Sequence, residues 1–419
     1  MPLHKHEPVS EESMAWASPN HSICQVLREI YFNTWNEENK RLCRVATAMA
    51  KSMTAKLEGY KQDWEKGFWD KNKNFETQAS GTTETYLRER QGKSVLSKSG
   101  KTYDVLVICE NDWANSGWRY SKCLRSIGLN VIGMKMNPHP FFYPEALTTY
   151  PNLQNETIQR LVNESHVVVL HNTTFIQGID FSRAIVVAQH GGTVYRQHHD
   201  EVNATINPIA QATVIQCPDL LGLGAKNEHW VSFPVDTDFL QPVPYDKKNT
   251  LTFGHFPSNH TVKGTAAICK VVDSIKDPRF KYIGLRPENA KKNIQTWNEN
   301  LNRLAACDVY LESLSPTQGK KVYGEFGNQA LEAAAMGKIV ITNCVHKELY
   351  EKEFGKLGLI VANTEEELRA AIDTVLGMSA QKIAAKRKAM RDWVVSNHSI
   401  SAVGQRLWGK VYRNLFEGR

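Results

Sequence analysis

GEFGNQALEAAAMGKIVIT, residues 324–342, decides how the rest of the chain is read. A glycine at Gly327 precedes a run of small helix-forming residues, which passes into the β-branched stretch KIVIT. The pattern is a helix that opens on a glycine turn and feeds a buried strand. Such a helix leaves its first backbone N–H groups free and its positive dipole end exposed, a ready site for an anion. Glu332 follows between one and two turns later on an alanine-rich face. An unpartnered carboxylate is costly there, so Glu332 is expected to accept hydrogen bonds from neutral hydroxyls beside that anion.

Outward from this stretch, apolar strands alternate with helices. YDVLVICE (103–110), NVIGMKM (130–136), HVVVLH (166–171), AIVVAQH (184–190) and ATVIQC (212–217) form one set. LTFGHF (251–256), KYIGL (281–285), DVYLES (308–313), KIVIT (338–342) and GLIVA (358–362) form a second. Continuous β-branched strands between helices imply parallel sheets covered on both faces. Two sets joined near VSFPVDTDFLQPVP (231–244) predict an α/β protein of two doubly wound, Rossmann-like domains facing a cleft. The expected domains are 102–240, on the acceptor side, and 241–395, for the donor. Val403, Leu407, Val411 and Leu415, at helical spacing, predict a closing helix over 396–419. Residues 1–75 carry apolar residues three and four apart and read as a helical extension; the polar segment 76–101 reads as a linker.

Composition narrows the setting. The chain has 419 residues, 41% of them hydrophobic, and no apolar run approaches the ~20 residues of a membrane span. Its beginning, MPLHKHEPVSEES, lacks the apolar core of a signal peptide, and its eight cysteines are scattered without a CxxC pair. A reduced, cytoplasmic protein is expected. The net charge of +7 is matched by residues 379–419 alone, with nine Lys/Arg against two acids. This stripe is either a solvated helix face or a surface for nucleic acid, membrane or an anionic substrate.

Four stretches carry a resemblance to a known family. GEFGNQALEAAAMGKIVIT, HFPSNHTVKGT (255–265), FPVDTDFLQP (233–242) and VVAQHGGTVYR (186–196) resemble motifs of GT-B glycosyltransferases and follow one another along the chain in the family's order. The similarity spans about three quarters of the chain and is greatest to the retaining family four (glycosyl transferases group 1), which contains sucrose and glycogen synthases. It implies a nucleoside diphosphate sugar as donor and no required metal or other cofactor. By the resemblance, Lys263 pairs with the donor diphosphate, whose leaving group gains negative charge. Gly327, Asn328 and Gln329 hold a phosphate through their amides, Glu332 binds ribose hydroxyls, and His190 touches the transferred sugar near the reacting carbon. Two positions depart from the family. Gly324 stands where the family has its first glutamate, so Glu325, displaced by one, either still reaches the donor sugar as a catalytic residue or loses that contact to a backbone amide; Ser258, on the donor side, stands where the family has an arginine. His260, Lys320 or Lys321 would then supply the charge.

Other signals weigh less. Adjacent His198-His199-Asp200 point different ways and read as a solvated loop rather than a metal site. Asp236-Thr237-Asp238, an Asp-x-Asp, reads as interdomain linker because of the prolines around it. LGLGAK (221–226) is too short for a dinucleotide fingerprint. The loop NDWANSGWR (111–119) is expected at the cleft, with Asn115, Ser116 and Gly117 contacting acceptor or sugar; Trp113 and Trp118 either stack on a ring or pack. The expected activity is glycosyl transfer with retention, onto a glycan, a lipid-linked sugar or a modified base in DNA. The alternative is a catalytically weakened nucleotide-sugar-binding protein that recruits a partner.

Overall fold

The computed structural model describes residues 101–137, 139, 141, 143, 145–149, 155–245, 249–288, 296–315, 317–318, 321–322 and 325–417. The expected helical extension (1–75) and all of the linker but Lys101 lie outside them.

The first lobe is built on β1 (Tyr103–Asn111), β2 (Val131–Asn137), β3 (Thr148–Thr149), β4 (Ser165–His171), β5 (Ile185–His190), β6 (Ala210–Ile215) and β7 (Glu228–Trp230). They form one parallel sheet in the order β3-β2-β1-β4-β5-β6-β7. Helices α1 (Ser116–Ser126), α2 (Asn155–Glu164) and α3 (Gly192–Ile206) cross between strands. Side chains alternate across the sheet as the pleat requires. Val105, Val107 and Cys109 pack with Tyr120 and Leu124 of α1 on one face; Leu106 and Ile108 pack with Ile158 and Leu161 of α2 on the other.

The second lobe repeats the plan. Strands β8 (Leu251–Gly254), β9 (Phe280–Tyr282), β10 (Val309–Leu311), β13 (Ile339–Thr342) and β14 (Ile360–Val361) pair in parallel in the order β14-β13-β10-β8-β9. A hairpin of β11 (Thr317–Gln318) and β12 (Lys321–Val322) stands apart between β10 and β13. Around the sheet lie α4 (Thr265–Asp273), α5 (Trp297–Ala306), α6 (Asn328–Ala335), α7 (Lys347–Phe354) and α8 (Glu365–Leu376). In both sheets the chain reverses direction beside the first strand, and there ligands bind beyond the carboxyl ends of the strands.

The lobes are tied twice. Helix α9 (Ala380–His398) packs on the second lobe through Met390 and Val394, and the chain then turns at Ser399. Helix α10 (Ile400–Leu407) and the π-helical turn Trp408–Tyr412 after it cross back, placing Val403, Leu407 and Val411 in the first lobe's core, with the Tyr412 and Tyr120 hydroxyls 2.8 Å apart. A short α11 (Arg413–Glu417) follows. At the interdomain segment, Asp236 pairs with Lys122 at 2.5 Å and its other oxygen accepts from the Phe239 amide.

Three local expectations change. The loop over 111–119 is shorter, because Asp112 accepts from the Gly117 and Trp118 amides at 2.6 and 3.2 Å and starts α1 at Ser116. His198–Asp200 lie in α3, kinked at His198, rather than in a loop. Four of the nine basic residues of the stripe are internal scaffolding. Arg387 donates to the Val243 carbonyl, Arg391 to those of Leu240 and Ala335, and Arg406 and Lys410 pair with Glu353.

Candidate active site

The second lobe brings its charged residues to one place by a tight turn. Gly264 adopts φ +67°, and a Cβ there would run into the Leu314 carbonyl, so the Lys-Gly pair needs its glycine. The Leu314 amide donates to the Lys263 carbonyl at 3.1 Å, which fastens this turn to the end of β10. Buried His255 reinforces the junction, bonded to the Leu311 carbonyl at 2.7 Å and the Thr265 hydroxyl at 2.9 Å. Burial lowers its pKa to about 4, so it serves as a neutral brace.

From that turn the Lys263 ammonium reaches the carboxylate of Glu312, one residue past β10. The same Glu312 oxygen, Oε1, accepts from the Gly327 amide at 3.3 Å. Gly327 is the N-cap of α6, as the glycine-first helix predicts. Lysine, helix tip and an anion therefore meet at one point, and the anion is a side chain of the protein. Gln329 turns its side-chain amide to the Phe256 carbonyl and to Asn300, Asn328 is half-buried, and Ser258 is exposed on the loop before Lys263.

Glu332 is buried and bridges the lobes. Its Oε1 takes the guanidinium of Arg119, from α1, and the indole N–H of Trp297 at 3.1 Å. Arg119 and Glu332 side chains are each about 5% exposed, and Arg119 Nη1 is buried without a partner among the described residues. Glu325 faces the loop after β13, pairing with His346 Nδ1 at 2.5 Å and accepting from the Cys344 thiol at 3.3 Å. The hydrogen bond to Glu325 raises the His346 pKa.

Neutral groups gather on the facing lobe. His190, at the end of β5, is fully buried and stacked on Tyr195, ring centroids 4.2 Å apart. Both its ring nitrogens lack partners among the described residues, and burial lowers its pKa to about 4. His171 Nε2 lies 2.9 Å from the Ser116 hydroxyl, while its Nδ1 has no partner among the described residues. Asn115 is buried and donates to the Glu145 carbonyl; Gly117 is packed so closely that a Cβ would meet Cys109 Sγ at 2.6 Å. Ala114 and Asn115 after β1, and Asn172 and Thr173 after β4, all hold positive φ. Strain of this kind collects where a loop is shaped for binding. Trp113 is exposed there, whereas Trp118 is half-buried beneath Arg125.

Cys109, Asp112 and His171 are close enough to offer ligand atoms to a metal. However, both Asp112 oxygens already cap α1 and buried Lys135 balances its charge, so the set suits a closed structural knot better than a cation.

Arg119, Trp297, Glu312 and His346 were not singled out by the sequence. Glu312 had a visible signal, a carboxylate closing the apolar run DVYLES; the others gain their role only across the fold.

No family model and no curated protein sequence matches the chain. Among solved structures it is similar to HepE of Anabaena in complex with UDP, at a TM-score of 0.51 and 12% identity over 74% of this chain and 100% of that one. HepE in complex with UDP-glucose gives a TM-score of 0.52 at 12% identity, over 74% and 100% of the two chains. Sucrose-phosphate synthase of Thermosynechococcus elongatus aligns at 0.48 and 14% identity, over 75% and 100%. The fold is GT-B. In this GT-B chain the carboxyl ends of the two sheets meet through Arg119 and Glu332, and no described helix is long and apolar enough to cross a membrane.

Proposed function

We propose that the chain is a glycosyltransferase that moves a sugar from a nucleoside diphosphate sugar to an acceptor, with retention. One observation carries the reading: Lys263 and the α6 tip converge on a single anionic oxygen. A point cation and a helix N-terminus stabilise a departing diphosphate without forming a bond to it. The HepE structures, which hold UDP and UDP-glucose, share this fold and support the choice of donor. The sugar would lie between this point and His190, whose neutral ring nitrogens can bond hydroxyls, and Glu332 would take ribose. No metal is needed in this reading, because Lys263 and the helix tip meet the charge. Six buried free thiols among the described residues fit a reduced, cytoplasmic setting.

For the acceptor, the neutral, strained rim after β1 and β4 favours a hydroxyl-bearing glycan or lipid-linked sugar. DNA gains less support, since Arg387, Arg391, Arg406 and Lys410 are engaged internally. A second reading, a nucleotide-sugar-binding protein of weakened activity, is favoured by Glu325, which is turned to His346 instead of a sugar. Incubation with UDP-, GDP- and ADP-sugars decides between them: an enzyme releases nucleoside diphosphate slowly even without acceptor. Binding with no release from any donor would favour the second reading. The anomer of any transferred sugar, read by NMR, tests retention.

A further inference from the structure

The anion at the tip of α6 has a consequence beyond donor recognition. Glu312 is 1% exposed, and its Oε1 takes both Lys263 and the Gly327 amide, the two donors that a diphosphate would need. A Cβ built on Gly327 would lie 3.0 Å from Glu312 Oε1 and 3.1 Å from Lys263 Nζ, so both groups fill the cradle that the glycine leaves open. The other oxygen, Oε2, is buried, and the Tyr310 side chain of β10 lies against this carboxylate.

We propose that Glu312 is a built-in competitor of the donor diphosphate, a residue that weakens the hold of this site on phosphate and hastens release of the spent nucleotide. This rests on the glycosyltransferase reading of the same site. A carboxylate and a phosphate cannot share Lys263 and one helix tip without like-charge repulsion. Binding of donor therefore drives Glu312 off both partners, and its return displaces the product. The product diphosphate carries more negative charge than the sugar-linked donor, so the competition weighs more heavily on product. Glu312 also keeps Lys263 placed while the cleft is empty of phosphate, because an ammonium beside a buried carboxylate has little reason to leave.

The sign of the expected effect separates this role from a structural or a binding one. Loss of a supporting residue weakens affinity; loss of a competitor strengthens it. Calorimetry of UDP, GDP and ADP, each beside its own nucleoside, is made on the wild-type chain and on Glu312→Gln, with thermal melts to confirm folding. Glu312→Gln should bind the preferred nucleoside diphosphate at least tenfold more tightly and leave nucleoside affinity unchanged. Glu312→Asp, which keeps the charge but draws it back, should lie between the two, and it decides the matter if the Gln variant does not fold. If the wild type binds a diphosphate and neither variant binds it more tightly, the competitor role is overturned while the donor reading stands. If only the variants bind a diphosphate, the competitor role is supported in its strongest form. If neither wild type nor variants bind any of the three, both readings fall.

Discussion

The two lobes present different chemistry at the same place in the same topology. At the carboxyl ends of its strands the second lobe carries titratable groups answered by partners, Lys263 by Glu312 and His346 by Glu325, while its Glu332 reaches across to Arg119 of the first lobe. The first lobe carries neutral groups left incomplete, with buried ring nitrogens of His171 and His190 and the Gln189 amide lacking partners among the described residues. Charges out of water must be compensated, while neutral polar groups leave a smaller debt that a ligand hydroxyl can settle. One lobe is thus suited to an anion that replaces an existing one, the other to hydroxyls that complete what is missing.

The strongest test of this contrast is the pair that joins the lobes. Arg119→Met leaves the Glu332 carboxylate buried with only the Trp297 indole, and removing one partner of a buried pair costs roughly 3–5 kcal/mol. Urea unfolding should show a loss of that size. Combining it with Glu332→Leu should recover most of it, and a double variant no more stable than the single one would mean the pair does not hold the lobes.

Next in size is the lysine. Lys263→Ala should lower turnover by about a hundredfold, as loss of an oxyanion donor does, with a smaller change in donor affinity. Steady-state rates beside donor titration check this; equal losses in both would assign Lys263 to ground-state binding. Glu332→Gln keeps size and some acceptor capacity but removes charge, and should weaken nucleotide-sugar binding by about tenfold, or 1.4 kcal/mol. Unchanged affinity by calorimetry would leave Glu332 as a partner of Arg119 alone.

Histidines sharpen the comparison through pH. Burial lowers the pKa of His171 and His398 to about 3 and of His190 and His255 to about 4. A folded pKa below the usual ~6.5 means the unfolded chain binds more protons, so their contribution is whole above ~6.5 and is lost as pH falls toward 4. His346 has the opposite sign. Its raised pKa makes the pair with Glu325 contribute fully below ~6.5 and fade as pH rises through the raised value. Urea midpoints across pH should therefore fall on the acid side for the wild type, and His346→Gln should flatten only the neutral-to-alkaline limb. The smallest effect is expected at the C-terminal stripe. Reversing exposed Lys382 and Lys388 to Glu should barely change retention on duplex DNA, since Arg387, Arg391 and Arg406 are engaged elsewhere; a large loss would revive a nucleic-acid acceptor.

Much of the fold was legible because its signals are local. β-branched runs form strands wherever both faces are covered, and YDVLVICE, HVVVLH and KIVIT each became one. Gly327 opened a helix because a glycine before small residues leaves little alternative, and Lys263-Gly264 formed a turn that only glycine permits. The start of α1 was misplaced because Asp112 caps it from within what reads as a loop.

The sequence by itself determined two doubly wound lobes, a helix that opens at Gly327 and a turn at Lys263-Gly264. Only the tertiary structure decided what those groups touch. Glu312 reaches Gly327 fifteen residues away, and Arg119 reaches Glu332 across 213. No pattern of three or four residues encodes such meetings. They follow from which strand ends the topology places side by side, and burial then forces each charge to find the nearest opposite one.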